Sequence, residues 1–184
     1  MTVPAGDFVL VTGNPNKARE AENILGFPVA TEAVDLPEIQ SLDLLAVLEA
    51  KGDEAWRRLR RPLVVEETGL FLPALGGFPG PLVKWMLAAI GPEGIARTVL
   101  ALDDARAEAR CAVLYRDAEG SRVAVGSDHG TLVLPGRGAG GFGWDPVFMP
   151  HGATETVAEL GENWKNRHGH RGQAWRRLGA VEGG

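Results

Sequence analysis

A chain of 184 residues, 45 % apolar and 23 % charged with a formal net charge of −5, suits one domain over residues 1–184 that buries about 70 % of its unfolded surface without a covalent staple. The negative balance argues against a nucleic-acid polymer as partner, because duplex binding relies on clustered Lys and Arg, and no run approaches the ~20 apolar residues of a membrane span. Cys111, the one cysteine, lies in the apolar run "RCAVLY"; this excludes a disulfide framework and, with no basic stretch ahead of an apolar one in "MTVPAGDFVLVTG", predicts a cytoplasmic protein.

In chain order, "DFVLV" is a short, wholly apolar run bounded by turn residues, which suits a strand buried on both faces. In "NKAREAENILG", Ala18, Ala21, Ile24 and Leu25 share one helical face and Gly26 stops the helix. From Ser41, read as an N-cap, "LDLLAVLEAKGDEAWRRL" has helical spacing interrupted by Gly52. "PLVVEETGL" is a second buried strand running into acidic residues. Pro79 and Gly80 precede a helix, "PLVKWMLAAIG", that ends at Gly91, and Pro92 starts the next, "PEGIARTVLAL".

Two apolar runs separated by "RDAEGS" predict an antiparallel hairpin. A glycine-rich loop, "PGRGAGGFGWDP", leads to a short strand, "VFM", and a last helical region ending in "RGQAWRRL". Strands alternating with helices and followed by a hairpin predict an α/β domain with a mixed sheet. The basic clusters "RRLRR" and "WRRL" read as solvated helix faces.

Gly136, Gly138 and Gly141 spell G-x-G-x-x-G, but a dinucleotide fingerprint must open a helix, and here "FGWDP" leads into a strand. The turn after the first strand is the better phosphate site. Thr12 and Asn14 offer hydrogen bonds, Gly13 lets backbone approach a ligand, the following helix aims free N–H groups at the same space, and Lys17 adds charge. Glu66 and Glu67 end a buried strand, where carboxylates either face water or hold a metal and orient water beyond the strand end. In "GFGWDP", Phe142 and Trp144 flank Gly143 so that two aromatic faces can border a planar base, with Asp145 as an acceptor. "NWKNRHGHRGQAW" gathers Lys165, His168, His170 and Arg171, donors suited to a carbonyl-bearing base or a phosphate. With His129 and His151 scattered and no cysteine beside them, a zinc site is not predicted.

"TGNPNK", "DLPEIQ", "VEETGL", "ALGGFPGPLVKW", "GFGWDPVF", "AEL", "KN" and "HRGQA" occur in this order along nearly the whole chain, which thereby resembles the inosine triphosphate pyrophosphatases, in their eukaryotic-type form. The resemblance implies an elongated mixed β-sheet with flanking helices, two lobes around a central active-site cleft, a homodimer, and Mg²⁺-dependent hydrolysis of a non-standard purine nucleoside triphosphate to the monophosphate and pyrophosphate. Carried over residue by residue, Thr12, Gly13, Asn14 and Lys17 form the triphosphate loop. Phe142, Gly143, Trp144 and Asp145 form the base pocket, Lys165 belongs to the late lysine motif, and His170 with Arg171 to the "SHR" motif. Lys17 and Glu67 then carry catalysis, the first neutralising charge and the second orienting water and holding the metal.

The departures cluster at this site. Glu67 stands where the family has aspartate, Gly169 where it has serine, and Trp164 where it has an acidic residue. Counting back from Glu66 places Lys51 on the family's helix lysine and Ala46 on a metal-binding glutamate. Glu49, about one helical turn from Ala46, is the expected substitute ligand. These changes leave open an enzyme for another or modified nucleotide, and a nucleotide-binding protein with little catalysis.

Overall fold

The computed structural model describes residues 7–179; the reading of the chain start over 1–6 lies outside them. The elements run β1 (Val9–Val11), α1 (Pro15–Leu25), β2 (Ala30–Glu32), α2 (Leu44–Leu59), β3 (Leu63–Phe71), β4 (Pro79–Gly80), α3 (Val83–Leu100), β5 (Arg106–Arg116), β6 (Ser121–Leu132), β7 (Phe148–Pro150), α4 (Val157–His168) and α5 (His170–Leu178). The sheet order is β2-β1-β3-β5-β6-β7, with β4 added to β3. β1 pairs in parallel with β2 and β3, and every later pairing is antiparallel, so the sheet is mixed as expected. No helix among the described residues is long and apolar enough to cross a membrane.

Alternation along the strands sorts the core. Phe8, Leu10, Val64, Cys111 and Val113 pack on one face under α1 and α5, whereas Val9, Val11, Leu63, Val65, Ala112 and Leu114 pack on the other under α2. A further cluster, with Leu70, Ala107, Ala109 and Leu132, lies against α3 and the start of α4. Because side chains on a strand alternate between faces, Glu66 follows Val64 toward α1 and α5, and Glu67 follows Val65 toward α2. The two adjacent carboxylates are separated by the sheet itself.

The ends of the helices hold three of the sequence expectations and move one. α1 stops at Gly26 in a left-handed conformation with φ of 76°, and α3 is broken at Gly91, φ 68°, where the next helix begins with Pro92. Gly126 explains the close seat of α5 on β6, since a Cβ there would collide with the carbonyl oxygen of His170. The N-cap of α2 is Asp43 and not Ser41: the Asp43 carboxylate accepts from the N–H groups of Leu45 and Ala46 at 2.9 and 3.3 Å, while the Ser41 hydroxyl accepts from the Asp43 N–H. β2 and β4 are too short to show an alternating pattern in the sequence.

Candidate functional site

β1 pairs with β3 only at Leu63 and Val64, and β4 pairs with it only at Leu70 and Phe71. Between them the edge of β3 over 65–69 is left open, and here, beyond the carboxyl end of parallel β1, lies a cavity of about 690 Å³. That size and position suit a small organic ligand in an α/β sheet. Glu66, Glu67 and Thr68 line it from the sheet, Thr12 to Asn14 and Lys17 from the first turn, Asp35 and Glu38 from the loop before α2, and Phe142 to Asp145 with Lys165, His170 and Arg171 from the chain's last third. The residues assigned by sequence to phosphate and base are therefore brought to one space, except His168, which is exposed and packs against Trp164 outside the cavity.

The first turn is arranged by its own side chains. Thr12 Oγ1 accepts from the Asn14 N–H at 3.1 Å, and Asn14 Oδ1 accepts from the Asn16 N–H at 3.0 Å, making Asn14 the N-cap of α1 with Pro15 in the first turn. A Cβ added to Gly13 would meet no heavy atom within 4 Å, so the packing does not require glycine; the space it leaves opens to the cavity. Lys17 Nζ lies 3.6 Å from Glu66 Oε1.

Behind this loop runs a buried chain of alternating charge. Arg171 Nε lies 3.0 Å from each Glu66 oxygen, its Nη1 bonds Glu20, and Lys165 Nζ reaches Glu20 at 2.7 Å and Asp145 at 2.6 Å. Burial pushes the Glu66 carboxyl up, but Arg171 and Lys17 overcome it and hold the group below its ordinary range. Burial also pushes Asp145 up, and there it prevails over Lys165. Asp145 is not a free acceptor for a base: its Oδ2 takes the Phe142 N–H at 2.8 Å as well as the Lys165 ammonium, closing the turn that presents Phe142 and Trp144. Gly143 in that turn has φ of 65°, a conformation glycine adopts without strain. Lys165 Nζ sits 4.1 Å from the centre of the Phe142 ring.

Arg171 likewise has less to offer a base than its five donors suggest, since Nε and Nη1 are held by Glu66 and Glu20; Nη2 has no protein partner among the described residues. His170 is buried against Trp144, with ring centroids 6.1 Å apart. Burial first, then Arg171, Lys165 and Lys17, push its pKa well below the ordinary value, so the imidazole is neutral. Gly169 is set by packing: a Cβ would approach the Lys165 carbonyl oxygen to 2.6 Å.

On the other face of the sheet, Glu67 bonds Lys51 of α2, and Lys51 lies 3.1 Å from Glu38, which also bonds Lys84 at the start of α3. Despite some burial, which raises it, Lys84 and Lys51 draw the Glu38 carboxyl down to about 2. Glu49 corrects the sequence expectation. It is exposed on α2 and does not line the cavity, and neither does half-buried Ala46. The carboxylate beside Glu67 is Glu38, which the sequence showed only as part of "DLPEIQ". Glu20 was also missed, although its place beside Ala21 on the inward stripe of α1, one turn from Lys17, marked it as a buried charge in need of a partner.

Glu66 and Glu67 do not end their strand as the sequence suggested: β3 continues through them to Phe71, and they meet the cavity because that edge of β3 is unpaired over 65–69. A phosphate-type turn after a parallel strand, aromatic residues near a neutral histidine, and carboxylates on this open edge define an α/β protein with a nucleotide-sized cleft. Residues 8–181 match the Ham1 family, and the chain belongs to it. It is 38 % identical over 174 residues to the dITP/XTP pyrophosphatase of Pyrobaculum aerophilum, covering 93 % of each chain. It is 39 % identical over 169 residues to the inosine triphosphate pyrophosphatase of Schizosaccharomyces pombe, covering 89 % of this chain and 88 % of that one. A HAM1 protein from Coxiella burnetii has the same fold, with a TM-score of 0.79 at 24 % identity over 95 % of this chain and 96 % of that one.

Proposed function

We propose that this protein hydrolyses non-standard purine nucleoside triphosphates of the ITP, dITP and XTP type to the monophosphate and pyrophosphate. The observation that carries the reading is the convergence of Lys17, Lys165, Arg171, Phe142 and Trp144 on one cavity that Glu67 also lines from the open edge of β3. Membership in the Ham1 family and relatives bearing dITP/XTP and inosine triphosphate pyrophosphatase names support the substrate class.

The donor set fits a magnesium ion brought with the substrate. Among the described residues no group of three or more His, Cys, Asp and Glu is placed to hold a metal, but Mg²⁺ is commonly held by one or two carboxylates, substrate phosphates and water. Glu38 and Glu67 would be those carboxylates, released from Lys51 and Lys84, and the ion would offset charge on the phosphate oxygens. Lys17 and the N–H groups at the start of α1 bind phosphate. Glu67 orients a water toward the α-phosphorus and takes up its proton as the bond to the α–β bridging oxygen breaks, leaving pyrophosphate. Phe142 and Trp144 border the base, and the free Nη2 of Arg171 donates to its 6-keto oxygen.

We also infer a homodimer in the cytoplasm; the family resemblance supports the first and the single buried cysteine fits the second. The substrate reading is tested by a panel of ITP, dITP, XTP and the standard nucleoside triphosphates with Mg²⁺. The inosine and xanthosine nucleotides are turned over with the highest kcat/KM; equal turnover of ATP and ITP, or binding with no hydrolysis of any member, would overturn it.

A further inference from the structure

The buried charge chain behind the phosphate turn also engages a neutral donor that does not reach the cavity. Trp175, on α5, is fully buried. Its ring stacks on Phe8 with centroids 6.2 Å apart and belongs to the core cluster of Leu10, Val64, Cys111 and Leu178. Those neighbours call only for apolar bulk, which a phenyl ring would supply. The indole N–H instead donates to Glu66 Oε2 at 3.3 Å, and Trp175 is absent from the lining of the cavity. A buried indole N–H needs an acceptor. Here the acceptor is the carboxylate whose other oxygen, Oε1, lies 3.6 Å from Lys17 Nζ.

Arg171 and Trp175 are four residues apart on α5, so both donors come from one side of the helix. Arg171 Nε contacts both Glu66 oxygens at 3.0 Å, and Trp175 adds its bond to Oε2 alone. Oε2 is thereby committed to the core, and Oε1 is left toward Lys17. At 3.6 Å that ion pair is longer than a normal hydrogen bond, because a carboxylate already shared by a guanidinium and an indole pulls less on a third donor. We propose that Trp175 is a positioning residue for Lys17, acting through Glu66: its N–H fixes the carboxylate and takes part of its charge, so that Lys17 stays beside the phosphate turn and available to a ligand. This deepens the function proposed above and rests on Lys17 as a phosphate ligand. Without the indole N–H, Glu66 draws on Lys17 for the missing bond, the pair closes, and the ammonium withdraws from the space that phosphate oxygens occupy.

The test removes the N–H and keeps the ring. Site-specific replacement of Trp175 by benzothienylalanine puts sulfur in place of the indole N–H; Trp175→Phe is the encoded companion, and circular dichroism checks that both proteins are folded. Calorimetric titration with pyrophosphate shows a dissociation constant raised about three- to tenfold in each, the fold-change of one net hydrogen bond. In a Lys17→Met background the same replacements change nothing further, because the link is already cut. Proton–nitrogen NMR of the ligand-free protein gives a readout that needs no change at Trp175 and that a merely structural role would not move. Lys17→Met leaves Glu66 to its remaining donors and shifts the Trp175 indole N–H downfield, while that of Trp56, packed on the other face of the sheet, stays in place. Four results would overturn the proposal: unchanged pyrophosphate affinity in both variants, equal losses with and without Lys17, no pyrophosphate binding by the wild type, or a Trp175 resonance indifferent to Lys17→Met. Failure to hydrolyse ITP with pyrophosphate still bound would refute the substrate reading and leave this link standing.

Discussion

Arg171 Nε contacts both oxygens of Glu66 at 3.0 Å, across 105 residues of sequence, and so ties the last helix to the central strand beneath the cavity. Both side chains are buried. Removing one charge leaves the other without its partner in a low-dielectric site, which costs about 3–5 kcal/mol. Glu66→Gln therefore lowers the denaturant midpoint strongly while leaving the denaturant slope unchanged, as measured by equilibrium unfolding. A variant as stable as the wild type would show that Glu20 alone balances Arg171.

Glu38 and Glu49 separate two accounts of the acidic side of the site. Glu38 shares Lys51 with Glu67, whereas Glu49 is exposed and outside the cavity. Glu38→Gln lowers turnover and raises the Mg²⁺ concentration for half-maximal rate several-fold; Glu49→Gln changes neither. Magnesium titrations of both variants check this, and equal effects would restore the sequence-based assignment of Glu49.

Much of this was legible in the sequence, and what was not has physical causes. Gly26, Gly91 and the "RDAEGS" turn mark element ends because local chemistry decides them: φ near 70° at the two glycines and polar turn residues at the third. The loop residues from Thr12 to Lys17 and the run from Phe142 to Asp145 reach one cavity because strand ends converge there. The charge pairing was hidden. That Glu66 and Glu67 serve opposite faces follows from strand alternation, but that Glu20 meets Lys165 and Arg171, or Glu38 meets Lys84, depends on how distant elements pack.

Gly13 offers a test of the phosphate turn that spares the fold. With no heavy atom within 4 Å of where a Cβ would lie and no positive φ, Gly13→Ala keeps stability within about 0.5 kcal/mol of the wild type. It raises KM for the nucleotide, because the methyl group occupies space that phosphate oxygens need. Thermal unfolding and kinetics on the same preparation distinguish the two effects; an unchanged KM would place the phosphates elsewhere.

His170 links pH to stability in a defined direction. Burial and the neighbouring cations hold its folded pKa well below the ordinary value, so between the folded pKa and the ordinary one near 6.5 the unfolded chain binds a proton that the folded chain does not. Stability is fully present above about pH 6.5 and falls as pH drops below it, at up to about 1.4 kcal/mol per pH unit from this group. Unfolding free energies of wild type and His170→Gln at pH 5 and pH 7 isolate the term. The wild type loses more stability on acidification than the variant, and parallel losses would mean that His170 is protonated in the folded protein.

Water attacks at the α-phosphorus, and hydrolysis of ITP in water enriched in heavy oxygen, with mass analysis of both products, tests this at the reacting atom. Inosine monophosphate is expected to carry the label and pyrophosphate to be unlabelled. Label in the pyrophosphate, or release of orthophosphate with inosine diphosphate, would contradict it.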